Sequence, residues 1–249
     1  MIYRKSAAEI GLMREGGKAV ARILERMRDV VRPGVPTSEI EQEAEGMSRT
    51  LGIVPAFKGY MGYPSSICVS INDEVVHGIP SEKRLLKGGD IVGLDFGALY
   101  QGYYADAAIT LPVGELEGEA EHLLKVTREA LFKGIEAAVV DNRVGDISHA
   151  VQNHVESHGY SVVKTFVGHG IGRKLHEEPQ VPNFGSPEWG ARLKEGMTLA
   201  IEPMVNAGSD GIRVLDDGWT AVTMDGSLSA HFEHTVAVTA NGPMILTDI

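Results

Sequence analysis

The segment Gly93–Thr110, GLDFGALYQGYYADAAIT, places two aspartates in apolar, strand-like surroundings on either side of a glycine-bounded turn. If the turn is centred between Tyr100 and Gln101, the hairpin sets Asp95 directly opposite Asp106, with Cβ atoms ~4.5–5.5 Å apart. Two ionised carboxylates at that separation repel each other and lose hydration, so one is protonated or a cation lies between them. Exposed aspartates flanking a turn are the simpler alternative. Two more acids sit in apolar runs, Glu202 in MTLAIEPMV and Glu233 in LSAHFEHTVAV. An acid in such a run is rarely fully buried unless it is paired or liganded. Four acids in four apolar strands point to a shared metal site.

Histidines stand near these runs. VGHGIGRKLHEEPQV sets His169 between two glycines and His176 seven residues later, and NDEVVHGIP puts His77 at a strand end. Gly168 and Gly170 imply a close backbone approach beside His169. His122, His149, His154 and His158 fall in helical stretches and need no special role. The spacing is not the helix-borne H-E-x-x-H of zinc proteases. Four carboxylates and one histidine match structural zinc poorly and suit two divalent ions of the Mn, Fe or Co type. Two such ions ~3.5–4 Å apart can share a bridging hydroxide, polarise a carbonyl and hold an amine. That is the chemistry of amide hydrolysis next to a free amino group.

The elements that must position these residues repeat. Displacing the chain by 107 residues lays LKGGDIVGLD (Leu86 to Asp95) over LKEGMTLAIE (Leu193 to Glu202), so that Asp95 falls on Glu202. The same offset brings Gly52 onto Gly159, Ile40 onto Ile147 and Lys18 onto Lys125. Each half reads helix, helix, strands. Apolar spacing predicts a helix over 6–31, with Thr37 or Ser38 capping the next one. The second half offers a helix over about 118–140 and another ending near Ser157. Strands dominate 67–110 and 161–239. No linker divides the halves, about 1–115 and 116–249, so a single α+β domain of two similar lobes is expected, with the carboxylates between them.

The formal net charge of −11 over 249 residues argues against a non-specific grip on nucleic acid or anionic membrane. One cysteine, Cys68, excludes an intrachain disulfide. No apolar run reaches the length of a membrane span, and the start of the chain does not read as a signal peptide. A cytoplasmic protein is expected.

FKGYMGYPSSICVSINDEVVHGIP, DFGALYQGYYADAAIT, GHGIGRKLHEEPQVPNF, LAIEPMV and HFEHTVAV together resemble methionine aminopeptidase of the short type I form, over essentially the whole chain. The resemblance implies the pseudo-twofold "pita-bread" fold, antiparallel sheets flanked by helices in two related halves. It also implies an enzyme that removes the initiator methionine of nascent polypeptides when the second residue is small, a metal-bridged hydroxide attacking the scissile carbonyl. By the same resemblance Asp95 chelates one metal, Asp106 and Glu233 bridge, and His169 and Glu202 hold the other. His77 and His176 would contact the scissile amide and its oxyanion, and Glu202 would shuttle the proton. Tyr60, Tyr63, Cys68 and Trp219 would form the methionine pocket. Leu175 stands where an aromatic is common and His231 where glutamine is common. Two divalent ions per chain are implied, Co, Mn, Fe or Zn. A monomer working near the ribosome is expected. Prolidase or aminopeptidase P is the alternative within the fold, and an inactive binding module of the same fold is a further one.

Overall fold

The computed structural model describes residues 1–248; Ile249, the last position of the expected second half, lies outside the described residues. Helix α1 (Ala7–Val30) opens on a capping box. The Ser6 side chain accepts from the Glu9 N–H, and the Glu9 carboxylate accepts from the Ser6 N–H at 2.8 Å. Two donors of the first turn are thereby satisfied. The buried face of α1, with Val20, Ile23, Leu24 and Met27, packs on the apolar residues of the hairpin Ile91–Tyr100 and Tyr103–Pro112. Helix α2 (Thr37–Leu51) has Pro36 in its capping position, not Thr37 or Ser38. Thr37 is occupied elsewhere: its Oγ1 donates to the Ser81 carbonyl at 3.0 Å and accepts from the Ser81 N–H at 2.8 Å.

Helices α3 (Glu119–Ala137) and α4 (Val144–Ser157) repeat this pair, α3 ending at Ala137 rather than Val140. The 107-residue offset is visible in the hydrogen bonds. The Gly34 N–H donates to the Leu86 carbonyl, and the Asp141 N–H donates to the Leu193 carbonyl. The Leu86 N–H donates to the Val35 carbonyl, and the Leu193 N–H donates to the Asn142 carbonyl. Isolated bridges Pro36–Leu85 and Arg143–Arg192 sit at the same offset. Gly34 and Asp141, which begin the equivalent loops, both have positive φ, 87° and 75°. Equivalent loops therefore tie equivalent helix pairs to the equivalent segments that lead into strands Ile91–Tyr100 and Thr198–Ile201.

Among the described residues a nine-stranded antiparallel sheet runs through both halves. Its path is Val54–Pro55, Ile91–Tyr100, Tyr103–Pro112, Glu233–Thr239, Thr198–Ile201, Gly168–Gly170 and Glu177–Val181. Cys68–Ile71 also pairs with Ile91–Tyr100, and Gly242–Ile245 with Glu233–Thr239. The two halves join where Tyr103–Pro112 meets Glu233–Thr239. The molecule is thus α+β, an antiparallel sheet flanked by the four helices.

The hairpin register differs from the expected one. The turn residues are Gln101 and Gly102, both with positive φ (46° and 84°), and Tyr100 pairs with Tyr103. Two central residues of positive φ make the tight turn whose twist suits a hairpin. The register therefore shifts by two residues: Asp95 faces Ala108, and Asp106 faces Gly97. A shift of two preserves the face on which each side chain lies. Asp95 and Asp106 are diagonal neighbours rather than direct partners.

Gly17 marks the tightest contact of α1, since a Cβ there would lie 2.2 Å from the Leu246 carbonyl oxygen. Gly11, on the same helix, has nothing within 4 Å of that position. Gly17→Ala should lower stability by about 1–3 kcal/mol in denaturant unfolding, whereas Gly11→Ala should raise it by about 0.5–1 kcal/mol. Equal effects of the two substitutions would contradict the packing of α1 against the C-terminal segment.

Candidate metal centre

The sheet sets three of the acids by register. Ala108 is the partner of Asp95 on one side and of Glu233 on the other, so these acids flank one small residue in a single row. Ala108 leaves the space between them open. Asp106 lies two residues along the middle strand, on the same face. Its backbone is clamped from behind: the Asp106 N–H donates to Thr235 Oγ1 at 2.9 Å, and Thr235 Oγ1 donates to the Asp106 carbonyl at 2.8 Å. Gly97, opposite Asp106, has no room for a side chain, because a Cβ there would meet Phe57 Cε1 at 2.7 Å and Asp106 Oδ1 at 3.2 Å.

His169 is the middle residue of Gly168–Gly170, and its flanking glycines are explained by the sheet itself. A Cβ at Gly168 would lie 2.4 Å from the Ala200 carbonyl oxygen, and one at Gly170 would lie 2.3 Å from that of Glu178. His169 Nδ1 donates to the Gly170 carbonyl at 2.8 Å, which turns the lone pair to Nε2. That Nε2 lies 3.6 Å from Glu202 Oε1, and His231 Nε2 lies 3.6 Å from Glu202 Oε2. Glu202 therefore stands between two imidazoles. Burial, and secondarily His176, pushes the His169 pKa down to about 3, so the His169 approach to Glu202 is not an ion pair at neutral pH. Burial, with a smaller contribution from His77, does the same for His231, also to about 3.

The residues expected to act converge on one cavity of about 170 Å³. It is lined by Asp95, Asp106, His169, Glu202 and Glu233, by His77 and His176, and by Tyr60, Tyr63, Cys68 and Trp219. Phe57, Met61 and Leu175 complete the wall. No lysine or arginine is among the lining residues. Tyr60 Oη is 2.7 Å from His176 Nδ1, and the His169 and His176 rings are 4.2 Å apart. Tyr63 donates to the Gly78 carbonyl at 2.9 Å and meets Trp219 edge-on. His77 adopts φ 63°, a conformation unusual for a non-glycine residue, with its ring against Phe166 and Trp219. Lys5 supports the loop that carries His176. It donates to Glu177 Oε2 at 2.6 Å, both side chains being buried, while the Lys5 N–H donates to the Gly196 carbonyl.

The donor set fits a cation. Asp106, His169 and Glu233 each offer an atom within 4.8 Å of the others. Asp95 Oδ1, Asp106 Oδ1 and Glu233 Oε1 are buried without a hydrogen-bond partner, an arrangement that costs free energy unless something positive meets them. Burial raises the pKa of all four carboxyls; for Asp95 the charges of Asp106 and Glu202 add to it, and for Glu233 those of Asp106, Glu202 and Asp95. Cys68 is pushed up by burial first and by Asp95 second, so it stays a neutral thiol. Carboxylates with neutral imidazole suit divalent ions.

Two wall residues, Phe57 and Met61, and the neighbouring His231 carry no site assignment from the sequence. Phe57 and Met61 lie in the same segment as Tyr60, three residues before it and one after, and nothing in their spacing separates them from core residues. His231 was noted only as a departure from a pattern; its approach to Glu202 depends on two strands distant in sequence.

Without metal, the protein should show a distinctive pH dependence. A carboxyl whose pKa is raised in the fold holds its proton there and loses it on unfolding. The folded state then binds more protons, and stability falls as pH rises. The buried histidines act in the opposite sense, but only below their ordinary value of 6.5. The unfolding midpoint of metal-stripped protein should therefore fall between about pH 6.5 and pH 8.5, and saturating divalent metal should abolish that slope. A midpoint independent of pH in stripped protein would mean that the acids ionise freely in the fold.

The chain matches the metallopeptidase family M24 over residues 11–240. A methionine aminopeptidase of Clostridium perfringens is 53% identical over 247 residues, 99% of each chain. The crystal structure of a methionine aminopeptidase from Thermotoga maritima superposes with a TM-score of 0.99 at 50% identity, covering 100% of both chains. A prolidase from Pyrococcus furiosus shares the fold, with a TM-score of 0.80 at 22% identity over 99% of this chain and 65% of its own. Two related halves, a buried carboxylate–histidine cluster and relatives matched from end to end agree: the chain belongs to the methionine aminopeptidases of metallopeptidase family M24.

Proposed function

We propose that this chain is a single catalytic domain that removes the N-terminal methionine of newly made polypeptides whose second residue is small. The observation that carries the reading is one cavity in which four carboxylates, three histidines and an aromatic, sulfur-containing wall converge with no organic cation among them. Asp95, Asp106, His169, Glu202 and Glu233 are the residues that would hold metal, two divalent ions per chain of the Co, Mn, Fe or Zn class. When bound, such ions supply Lewis acidity and make a water molecule acidic near neutral pH.

The chain's own residues do the rest. Tyr60, Tyr63, Cys68 and Trp219, with Phe57 and Leu175, enclose a volume on the scale of one side chain, and their apolar and soft surfaces suit a thioether. Phe57 supplies an aromatic face on the wall that Leu175 shares. His77 and His176 carry pKa values lowered by burial, His77 to about 4, and are neutral at pH 7. Neutral imidazoles can donate to an amide and to the oxyanion formed from its carbonyl without adding net charge. Tyr60 orients His176 through its ring nitrogen. Glu202 takes the proton lost by the attacking water and delivers it to the leaving nitrogen, its carboxyl being tuned upward by burial and the Asp106 charge. No helix among the described residues is long and apolar enough to cross a membrane. A cytoplasmic monomer working near the ribosome is part of the same proposal.

The test is release of methionine from Met-Ala-Ser by metal-stripped protein and after adding back Mn, Co, Fe or Zn, with X-Pro peptides in parallel. Metal-dependent release from Met-Ala-Ser is expected, and cleavage confined to X-Pro peptides would assign the cavity to a prolidase-type substrate. Asp106→Ala should keep the fold and lower turnover by at least about 100-fold, since Asp106 lies at the centre of the cluster. Unchanged turnover would remove Asp106 from the machinery.

A further inference from the structure

A second set of ligating side chains lies away from the cavity, where the end of α4 meets α3. Glu129 on α3, His154 in the last turn of α4 and His158 at its C-cap each present a donor atom, all within 4.8 Å of one another. His154 Nε2 is 3.2 Å from Glu129 Oε2, and the His154 and His158 rings are 4.6 Å apart. Donors on a tetrahedral ion with ~2.1 Å bonds stand about 3.4 Å apart, so the first pair is already at ligand spacing. His158 is pre-oriented: its Nδ1 lies 2.7 Å from the His154 carbonyl, which can only accept, so Nδ1 carries the hydrogen and the lone pair is on Nε2. A ring held by its other nitrogen in this way is the usual arrangement of a metal-binding histidine. Neighbouring His122 is turned to another partner, its Nδ1 2.8 Å from Tyr160 Oη.

The internal repeat supplies an independent comparison. The first half builds the same helix pair with Arg22, Met47 and Leu51 at the positions 107 residues earlier. Met47 and Leu51 there pack against the core. The helix pair therefore forms without donors at these positions, and the His–His–Glu set is particular to the second half.

We propose that Glu129, His154 and His158 bind one divalent transition-metal ion, separate from the metal of the cavity, and that this ion ties the end of α4 to α3. Two imidazoles and a carboxylate leave a position for water and favour zinc over manganese or magnesium. The test is equilibrium dialysis of the full chain, loaded with its cavity metal, against zinc. Wild type is compared with His154→Gln, His158→Gln and Glu129→Gln, and circular dichroism confirms the fold of each. Wild type should take up one zinc more than His158→Gln, with a dissociation constant below about 10 μM. Each variant should bind that zinc at least roughly 10-fold more weakly, with methionine release from Met-Ala-Ser unchanged. Equal zinc uptake by wild type and all three variants, or an extra zinc taken up by wild type only at millimolar concentration, would overturn the proposal.

Discussion

The centre of this molecule is governed by the burial of four acids in a cavity lined by no lysine or arginine. Removing ionised carboxylates from water costs several kcal/mol each even after relaxation, and neighbouring acids raise the cost further. The rest of the site is arranged around that cost. Ala108 holds Asp95 and Glu233 apart in one row, Thr235 fixes the backbone of Asp106, and Glu202 lies between two neutral imidazoles. Protons or divalent cations are the means of neutralisation that such a cavity admits. Folding and metal binding are consequently linked equilibria, and metal that binds only the folded state adds to stability by mass action.

The repeat explains how such a costly cluster is assembled. Each half ties a helix pair to the segment leading into a strand through the same backbone hydrogen bonds, and each packs its helices on an apolar cluster. The acids lie at the seam, where neither half completes the cavity alone. Asp95 and Asp106 come from the first half, and His169, Glu202 and Glu233 from the second. Buried side-chain atoms without a hydrogen-bond partner, on Asp95, Asp106, His231 and Glu233, collect where the two halves meet.

Much of this was legible in the sequence because it is written in local terms. The acid-in-apolar-run pattern marks all four carboxylates that line the cavity, and the 107-residue offset seen in the sequence recurs in the backbone hydrogen bonds of the two halves. The misses share a cause. The hairpin register depends on whether the turn is centred between Tyr100 and Gln101 or between Gln101 and Gly102, and the flanking pattern does not distinguish the two; the fold takes the second, with Gln101 and Gly102 both at positive φ. Thr37 carries a capping residue type, yet Ser81, distant in sequence, claims its hydroxyl. His231 and Phe57 enter the site through packing between elements that no periodicity links. His154 and His158 read as ordinary helix residues because their partner, Glu129, lies on another helix.

The buried Lys5–Glu177 pair has a reach beyond its own contact. Lys5 precedes the first helix, while Glu177 directly follows His176 on the cavity wall. Loss of one member of a buried pair strands the charge of the other. The segment ahead of α1 is therefore a strap under the loop that presents His176. A change that unseats Lys5, far along the chain from the cavity, would therefore be felt at His176 through Glu177.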